Sequence, residues 1–426
     1  MKAYWKPMVF IGTGFMGVTI LWALYNATVP LYLQFGHPDF DTGGVDLEIE
    51  RGFGRSAITA GFIMSMDNLM ALWILPLVGL LSDRTRTRIG RRKPYILAGA
   101  IPAALAFLLT PAAAGLNAFW LFMLLLIVTL IGMAVVRTPL IALMPDTVPE
   151  ENHGPANGLL DLMGGMGGVL AILVILPLFA FGDTVAFGVA AGVLLLATVL
   201  LLVFVREPAT LTESAAMPIR FSLSTVDTTS RYSLGIAMLG LFVIFMGFGA
   251  VEAFFSSYAV TVLGISIAES GQLLSAFLLP FLFFAIPAGY VGNRIGRETA
   301  IIIGLAISVV ASVAAVMTAS IAVLVPFLIL SGVGLALISS NTLPIILEID
   351  RSQQQGGTFV GFYYFSTQLA SVVSPILAGF VINHTGGNYR YTYVIAAVAY
   401  IVAIGLIAHL RAHKQTRQAA IRVEAT

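Results

Sequence analysis

The sequence predicts an all-α membrane protein with twelve transmembrane helices in two pseudo-symmetric six-helix halves. Three observations carry this. Hydrophobic residues make up 58% of the 426-residue chain and charged residues 10%, against about a quarter charged in ordinary soluble domains. A spanning helix needs roughly 20 apolar residues, and the chain divides into twelve such runs. A short basic loop pattern also occurs twice, once in each half, which marks an internal repeat.

In chain order the first half holds spans at 8–33, 56–81, 95–111, 118–143, 156–181 and 184–205. The second holds 232–263, 270–291, 299–319, 322–347, 357–382 and 392–410. This gives a bundle over 1–205, a linker over 206–231, a second bundle over 232–410 and a basic tail over 411–426. Residues 1–7 are short and basic and enter an apolar run without a small-residue cleavage site, so they read as the start of a retained helix. The linker carries Pro208, Pro218 and many Ser and Thr, the composition of a polar connector. The loop over 34–55 holds Asp39, Asp41, Asp46, Glu48 and Glu50, read as a solvated loop.

The basic loop fixes orientation. Between the second and third spans lies Gly79-Leu80-Leu81-Ser82-Asp83-Arg84-Thr85-Arg86-Thr87-Arg88-Ile89-Gly90-Arg91-Arg92-Lys93-Pro94, with six of the chain's 22 Lys and Arg residues. Short loops rich in Lys and Arg stay cytoplasmic. With twelve spans both termini then lie in the cytoplasm of a cell whose inner membrane holds the protein. Eighteen Lys and Arg fall on that side, three (Arg51, Arg55, Arg390) on the other and one, Arg137, in a span. The second copy reads Gly289-Tyr290-Val291-Gly292-Asn293-Arg294-Ile295-Gly296-Arg297. Gly79, Asp83, Arg84, Gly90, Arg91 and Arg92, with Gly289, Asn293, Arg294, Gly296 and Arg297, are expected to act as a conformational latch.

A charge at the bilayer centre costs at least about 2.5–3.5 kcal/mol, so charges within spans face a bundle interior or cavity. Four stand out: Asp67, Arg137, Asp161 and Glu252. Asp67 lies deep in the second span, either as a helix-packing group or as a proton carrier. Arg137 and Asp161 sit at similar depth on adjacent antiparallel spans and are expected to pair, statically or as a pair that opens in transport. Asn157 and Asp161 share a face followed by Gly164, Gly165, Gly167 and Gly168, a close-packing surface. Glu252 sits among Gly247 and Gly249, which are expected to weaken the seventh helix. Asn26 is its repeat counterpart, and Trp22 shares a face with Asn26. In the eleventh span Gly357, Gly361, Tyr364, Gln368, Ser371 and Pro375 alternate at spacings of four and three. That polar stripe faces either a substrate or a packing seam.

The sequence Gly-x-x-x-Asp-Arg-x-Gly-Arg, in its lengthened form here, resembles the signature loop of the major facilitator superfamily. Its sugar-carrying branch, the glycoside–pentoside–hexuronide:cation and sucrose:proton symporters, is the closer likeness. The resemblance continues in Arg137-Thr138-Pro139, Ala142-Leu143-Met144-Pro145-Asp146, Ala156-Asn157-Gly158, Ala250-Val251-Glu252 and Gly357-Thr358-Phe359-Val360-Gly361-Phe362-Tyr363-Tyr364. It implies a twelve-helix carrier whose halves rock about a central site. Two departures matter. Sodium-coupled members carry paired acids before a Pro-x-x-Gly in the second helix, whereas here Leu75 and Ala71 precede Pro76-Leu77-Val78-Gly79. No acid occupies 117–145, where plant sucrose carriers have one. Coupling therefore falls to Asp67, Asp161 or Glu252.

The expected function is proton-coupled sugar symport. Trp22, Asn26, Glu252, Tyr364 and Gln368 would bind substrate, and Glu252 or Asp67 would carry the proton. Efflux of amphipathic drugs or organic anions is the rival reading. An intramembrane enzyme or a receptor is the alternative of another class. No H-E-x-x-H or G-x-S-x-G pattern is present, and the absence of cysteine rules out thiolate chemistry. No metal, cofactor or nucleic acid is expected. The partners are a small-molecule sugar, a proton and the lipid bilayer, and the protein is expected to be a monomer.

Overall fold

The computed structural model describes residues 5–47, 49, 51–148, 153–207, 228–349 and 356–424. Twelve of its helices are long and apolar enough to cross a membrane, as expected. They are α1 (Trp5–Gln34), α2 (Ala57–Arg84), α3 (Lys93–Gly115), α4 (Phe119–Thr147), α5 (His153–Leu170), α6 (Asp183–Phe204), α7 (Thr228–Leu263), α8 (Ile267–Ile295), α9 (Arg297–Met317), α10 (Ile321–Leu347), α11 (Gly356–His384) and α12 (Tyr391–Glu424). The fifth span is not a uniform α-helix. After Leu170 it widens into a π turn, Ala171–Ile175, then tightens into a 3-10 helix, Leu176–Phe181, with Pro177 in its first turn. By contrast α7 runs unbroken through Gly247 and Gly249. Those glycines do not weaken it. They admit neighbours: Gly247 lies against Ala396, Ala399 and Tyr400 of α12, and Gly249 against the Ser374 hydroxyl of α11.

The chain forms two compact units. The first comprises the described residues of Met1–Ala215 and Phe255–Ser275, so the end of α7 and the start of α8 belong to it. There the fully buried Gln34 donates to Ser257 Oγ at 3.0 Å. Gly271 packs on Ile172 and Leu176 of the bulged fifth span. Within this unit α1 is enclosed by α2, α4, α5 and α6. The segment after α1 folds back onto it, with Phe53 and Arg55 donating backbone bonds to Tyr32 and Leu33 at 3.0 and 2.7 Å. Phe40, Leu47 and Ile49 are buried in that loop while Asp39, Asp41 and Asp46 stay exposed. The loop is therefore solvated at its acids and packed at its apolar residues; Glu48 and Glu50 lie outside the described residues. The second unit has one large apolar core, from Leu234 and Ile244 of α7 through Ile301, Ile338 and Phe362 to Tyr400 and Ile407 of α12.

The two units repeat their helix seams residue by residue. Small residues let helix backbones approach closely. Gly99 and Gly132 join α3 to α4, where a Cβ on Gly99 would lie 2.5 Å from the Gly132 carbonyl oxygen. Gly304 and Gly334 join α9 to α10 with the same 2.5 Å approach. Thr138 Oγ1 of α4 donates to Leu75 O of α2 at 3.3 Å, and Ser340 Oγ of α10 donates to Ala285 O of α8 at 2.7 Å. One offset, 202 residues, relates Gly132 to Gly334, Thr138 to Ser340 and Asp146 to Glu348. Another, 210 residues, relates Leu75 to Ala285, Gly79 to Gly289 and Asp83 to Asn293. For α1 and α7 the offset is 226 residues, from Gly14 to Gly240 and from Asn26 to Glu252. Gly14 and Gly240 meet Leu201 of α6 and Ile407 of α12 at the same 3.1 Å.

Candidate functional site

The middle of the first unit holds a polar cluster. Between Phe10 and Phe35 every residue of α1 is buried or half-buried except Trp22. Its indole Nε1 donates to Asp67 Oδ2 at 3.1 Å, yet the side chain stays 37% exposed. On the other oxygen of Asp67, Oδ1 accepts from the Asn68 backbone N–H at 2.6 Å and from Asn68 Nδ2 at 2.8 Å. Tyr25, one turn along α1, is fully buried, with its hydroxyl 3.5 Å from the Ile63 carbonyl. The Arg137 guanidinium of α4 lies within electrostatic reach of Asp67. Sequence reasoning singled out Trp22, Asp67 and Arg137 separately, and the fold brings them together. Tyr25 stands beside Asn26 in the sequence but was not singled out. The pairing of Arg137 with Asp161 falls outside what is described, because the side chains of Asn157 and Asp161 lie outside the described residues.

In the second unit Glu252 is half-buried on α7, one turn from Gly249. Tyr364 of α11 is 57% exposed and Gln368 half-buried on the same stripe, with Gly361 buried below them. Neighbouring Tyr363 packs instead: it bonds to Thr342 of α10 and meets Phe245 of α7 edge-on at 6.5 Å. Of the adjacent rings, Tyr363, off the stripe, packs, while Tyr364, on it, is exposed. Gly357 lies in α11, but its surroundings fall outside the described residues.

A second cluster gathers at the loop between α2 and α3. Asp83 pairs with Arg92 at 2.6 Å, and Arg92 Nε reaches Asp146 of α4 at 3.1 Å. Arg91 also holds Asp146, with Nε at 3.2 Å, and Arg92 donates to Ser82 Oγ. The start of α3 is capped from just beyond α6: Glu207 accepts the backbone N–H groups of Arg91, Arg92 and Lys93 at 2.7, 3.1 and 3.0 Å. These are the donors a helix start leaves without partners. Gly90 adopts φ +116°, the region that favours glycine. Gly79 packs on Thr138 of α4 and Arg84 is exposed.

The repeat keeps only part of this. Arg297 bonds to Glu348 of α10, as Arg91 does to Asp146 of α4. Lys414 of α12 bonds to Glu298 at 2.6 Å and lies 3.7 Å from Glu348. Asn293 and Arg294 are exposed. Gly296 repeats the positive φ of Gly90 at +90°, but among the described residues the Thr299 hydroxyl, not a carboxylate, lies beside it. Glu207, Glu348 and Lys414 were not legible as partners. The matched spacing of Asp146 and Glu348 behind Gly132 and Gly334 was the available signal.

The helix count, the doubled seams and the paired loops define a membrane transporter of repeat-built type. The chain belongs to the Major Facilitator Superfamily, whose sequence profile matches residues 8–266 and again 237–424. Among its relatives, the isoprimeverose transporter of Lactiplantibacillus pentosus is 25% identical over 275 residues, 61% of this chain and 56% of that one. The MFS-type transporter Rv1250 of Mycobacterium tuberculosis is 26% identical over 183 residues, 42% of this chain and 31% of its own. The putative glycoside/cation symporter YagG of Escherichia coli is 43% identical over 58 residues, 14% of this chain and 13% of its own. The chain thus spans between about an eighth and just over half of these relatives. Two solved structures share the fold. A point variant of the nucleoside transporter NupG superposes with a TM-score of 0.72 at 12% identity, covering 95% of this chain and 99% of that one. A bacterial homologue of the lysosomal transporter Spinster, inward-facing and unoccupied, gives 0.73 at 13%, covering 97% and 98%.

Proposed function

We propose that this transporter takes up a sugar, a glycoside or disaccharide, together with a proton by alternating access. The observation that carries the reading is the mid-span contact of an exposed indole with a carboxylate, Trp22 with Asp67. A charge is kept there against its burial cost, which is the mark of a substrate or ion pathway. The naming of two relatives for isoprimeverose and for glycoside/cation symport supports the sugar class. On this reading Trp22, Asn26, Glu252, Tyr364 and Gln368 contact substrate, and Glu252 or Asp67 carries the proton. The halves are 1–205 and 232–410, joined by 206–231. The chain works as a monomer in the inner cell membrane with both termini in the cytoplasm. The clusters at Asp83–Arg92 and Arg297–Glu348 then act as latches on the cytoplasmic side.

The test is uptake into proteoliposomes with an imposed pH gradient, using a panel of labelled glycosides. Accumulation of at least one glycoside, abolished by a protonophore, is the expected result. Extrusion of amphipathic drugs with no glycoside uptake would replace this reading with the efflux one.

A further inference from the structure

The internal repeat supplies a control for the polar cluster that one half alone cannot. The offsets fixed by the glycine and hydroxyl seams carry Trp22 to Phe248, Asp67 to Phe277 and Arg137 to Ser339. These counterparts meet as their first-unit equivalents do: Phe248 of α7 stacks on Phe277 of α8, with centroids 6.4 Å apart and planes at 28°. The same helix-to-helix contact is therefore built once from an indole and a carboxylate, and once from two phenyl rings. The second unit keeps the α8–α10 and α9–α10 seams with no charge at any of the three positions. Helix packing in this architecture does not require Asp67 or Arg137. A role in packing, the bland reading of Asp67, loses its support.

We infer that Trp22 and Asp67 form a ligand-reading pair, the indole face receiving the apolar face of a pyranose ring and Asp67 Oδ2 accepting a neighbouring hydroxyl. The claim rests on the sugar reading above. Its geometry is specific. An ionised carboxylate offers roughly four acceptor sites. Three are filled, two on Oδ1 by Asn68 and one on Oδ2 by Trp22. One site on Oδ2 remains, beside the exposed ring. The indole N–H is spent on Asp67, so the ring is held by its edge and offers its face. Trp22 is the single exposed position along the enclosed stretch of α1, and a carboxylate bonded to it would not stand against hydrocarbon. The ring therefore borders a polar opening. A few fixed polar groups beside an apolar surface are what orient a small ligand.

The experiment copies the second unit into the first. Trp22→Phe, Asp67→Phe and Arg137→Ser are combined, which removes the partnered charges together. This variant is expected to purify as a monodisperse protein that has lost glycoside uptake and glycoside-induced thermal stabilisation. A second measurement guards against misfolding. With Trp5→Phe, Trp73→Phe and Trp120→Phe, Trp22 is the only indole left, and its emission should be quenched by a transported glycoside. In that background Asp67→Asn should raise the glycoside KM about ten- to a hundredfold, the loss of one charge-assisted hydrogen bond. A parent carrier that moves glycosides, with Trp22 emission unmoved and KM unchanged in Asp67→Asn, overturns the pair and leaves the sugar reading intact. A parent that moves no glycoside overturns both.

Discussion

The carboxylate of Glu207 fills the space that a side chain at Gly90 would need, and a Cβ there would collide with it. Gly90 is thus fixed twice, by its positive φ and by the cap that crosses it from the end of α6. Gly90→Ala should destabilise the protein by about 1–3 kcal/mol, since strained backbone costs that much on its own. Glu207→Ala leaves three helix-start donors without their acceptor and should cost a similar amount, about 1–3 kcal/mol. Thermal unfolding in detergent reads both. Because one contact serves both residues, the double variant should lose less than the two singles together. A strictly additive loss would show that the cap and the glycine act separately.

Asp83 and Asp146 both hold Arg92 but not in the same surroundings. The Asp83 side chain is 36% exposed, whereas Asp146 is 10% exposed and serves Arg91 as well. An exposed pair contributes about 0–1 kcal/mol, while breaking a buried pair costs about 3–5 kcal/mol. Asp146→Asn should therefore lower the unfolding temperature clearly and Asp83→Asn barely. Transport should separate them in a different way. Asp83→Asn is expected to slow uptake while keeping substrate binding, as a latch residue would. Unchanged vesicle uptake in Asp83→Asn would remove the latch.

Much of this was legible in the sequence, and the remainder was hidden for identifiable reasons. Hydropathy placed the twelve spans because a bilayer demands long apolar helices and little else resembles them. Trp22, Asp67 and Arg137 were each visible as oddities. Their meeting was not, since they lie on three helices and no spacing relates residues 45 and more positions apart. Glu207 read as part of a polar linker because Pro208 follows it, although its partners are the three N–H groups that begin α3. Gly247 and Gly249 suggested a weak point because glycine lowers helix propensity. In the fold they admit α12 and α11 instead. The real departure, Ala171–Ile175, lies just before Pro177, whose ring nitrogen cannot donate to Leu173 and was its one local sign in an apolar run.

The glycine seams predict independence between units. Gly99→Val and Gly304→Val each force a side chain toward a backbone carbonyl, and overpacking of this kind costs about 1–3 kcal/mol. The two positions belong to different units, so their effects should add within about 0.5 kcal/mol. Gly99→Val with Gly132→Val share one seam and should depart from additivity. Chemical unfolding of the three single and two double variants decides the matter, and equal departures in both pairs would count against separate units.

Arg137 offers a test of which acid it serves. It lies within electrostatic reach of Asp67, while the sequence pointed to Asp161. Arg137 is itself exposed, so the attraction is screened and its coupling falls toward the range of exposed pairs, about 0.2–1 kcal/mol. In a double-mutant cycle, Arg137→Gln should therefore couple to Asp67→Asn by about 0.2–1 kcal/mol in thermal stability. Coupling to Asp161→Asn, with none to Asp67→Asn, would return the pair to the partner read from sequence.

Glu252 remains the sharpest candidate for the coupling acid. It is the repeat counterpart of Asn26, an uncharged residue, so its charge is special to the second half. It stands half-buried one turn from Gly249, where α7 touches Ser374 of α11. A carrier that concentrates substrate needs a group whose charge changes between its two states. Asp67 is committed to Trp22 and Asn68 and, on the inference above, to substrate. The two acids should therefore fail differently. Glu252→Gln in proteoliposomes should abolish accumulation driven by a proton gradient while preserving counterflow exchange, in which no net proton moves. Asp67→Asn should weaken both, because exchange still requires binding. Gradient-driven accumulation at the parental rate in Glu252→Gln would exclude Glu252 and assign the proton to Asp67.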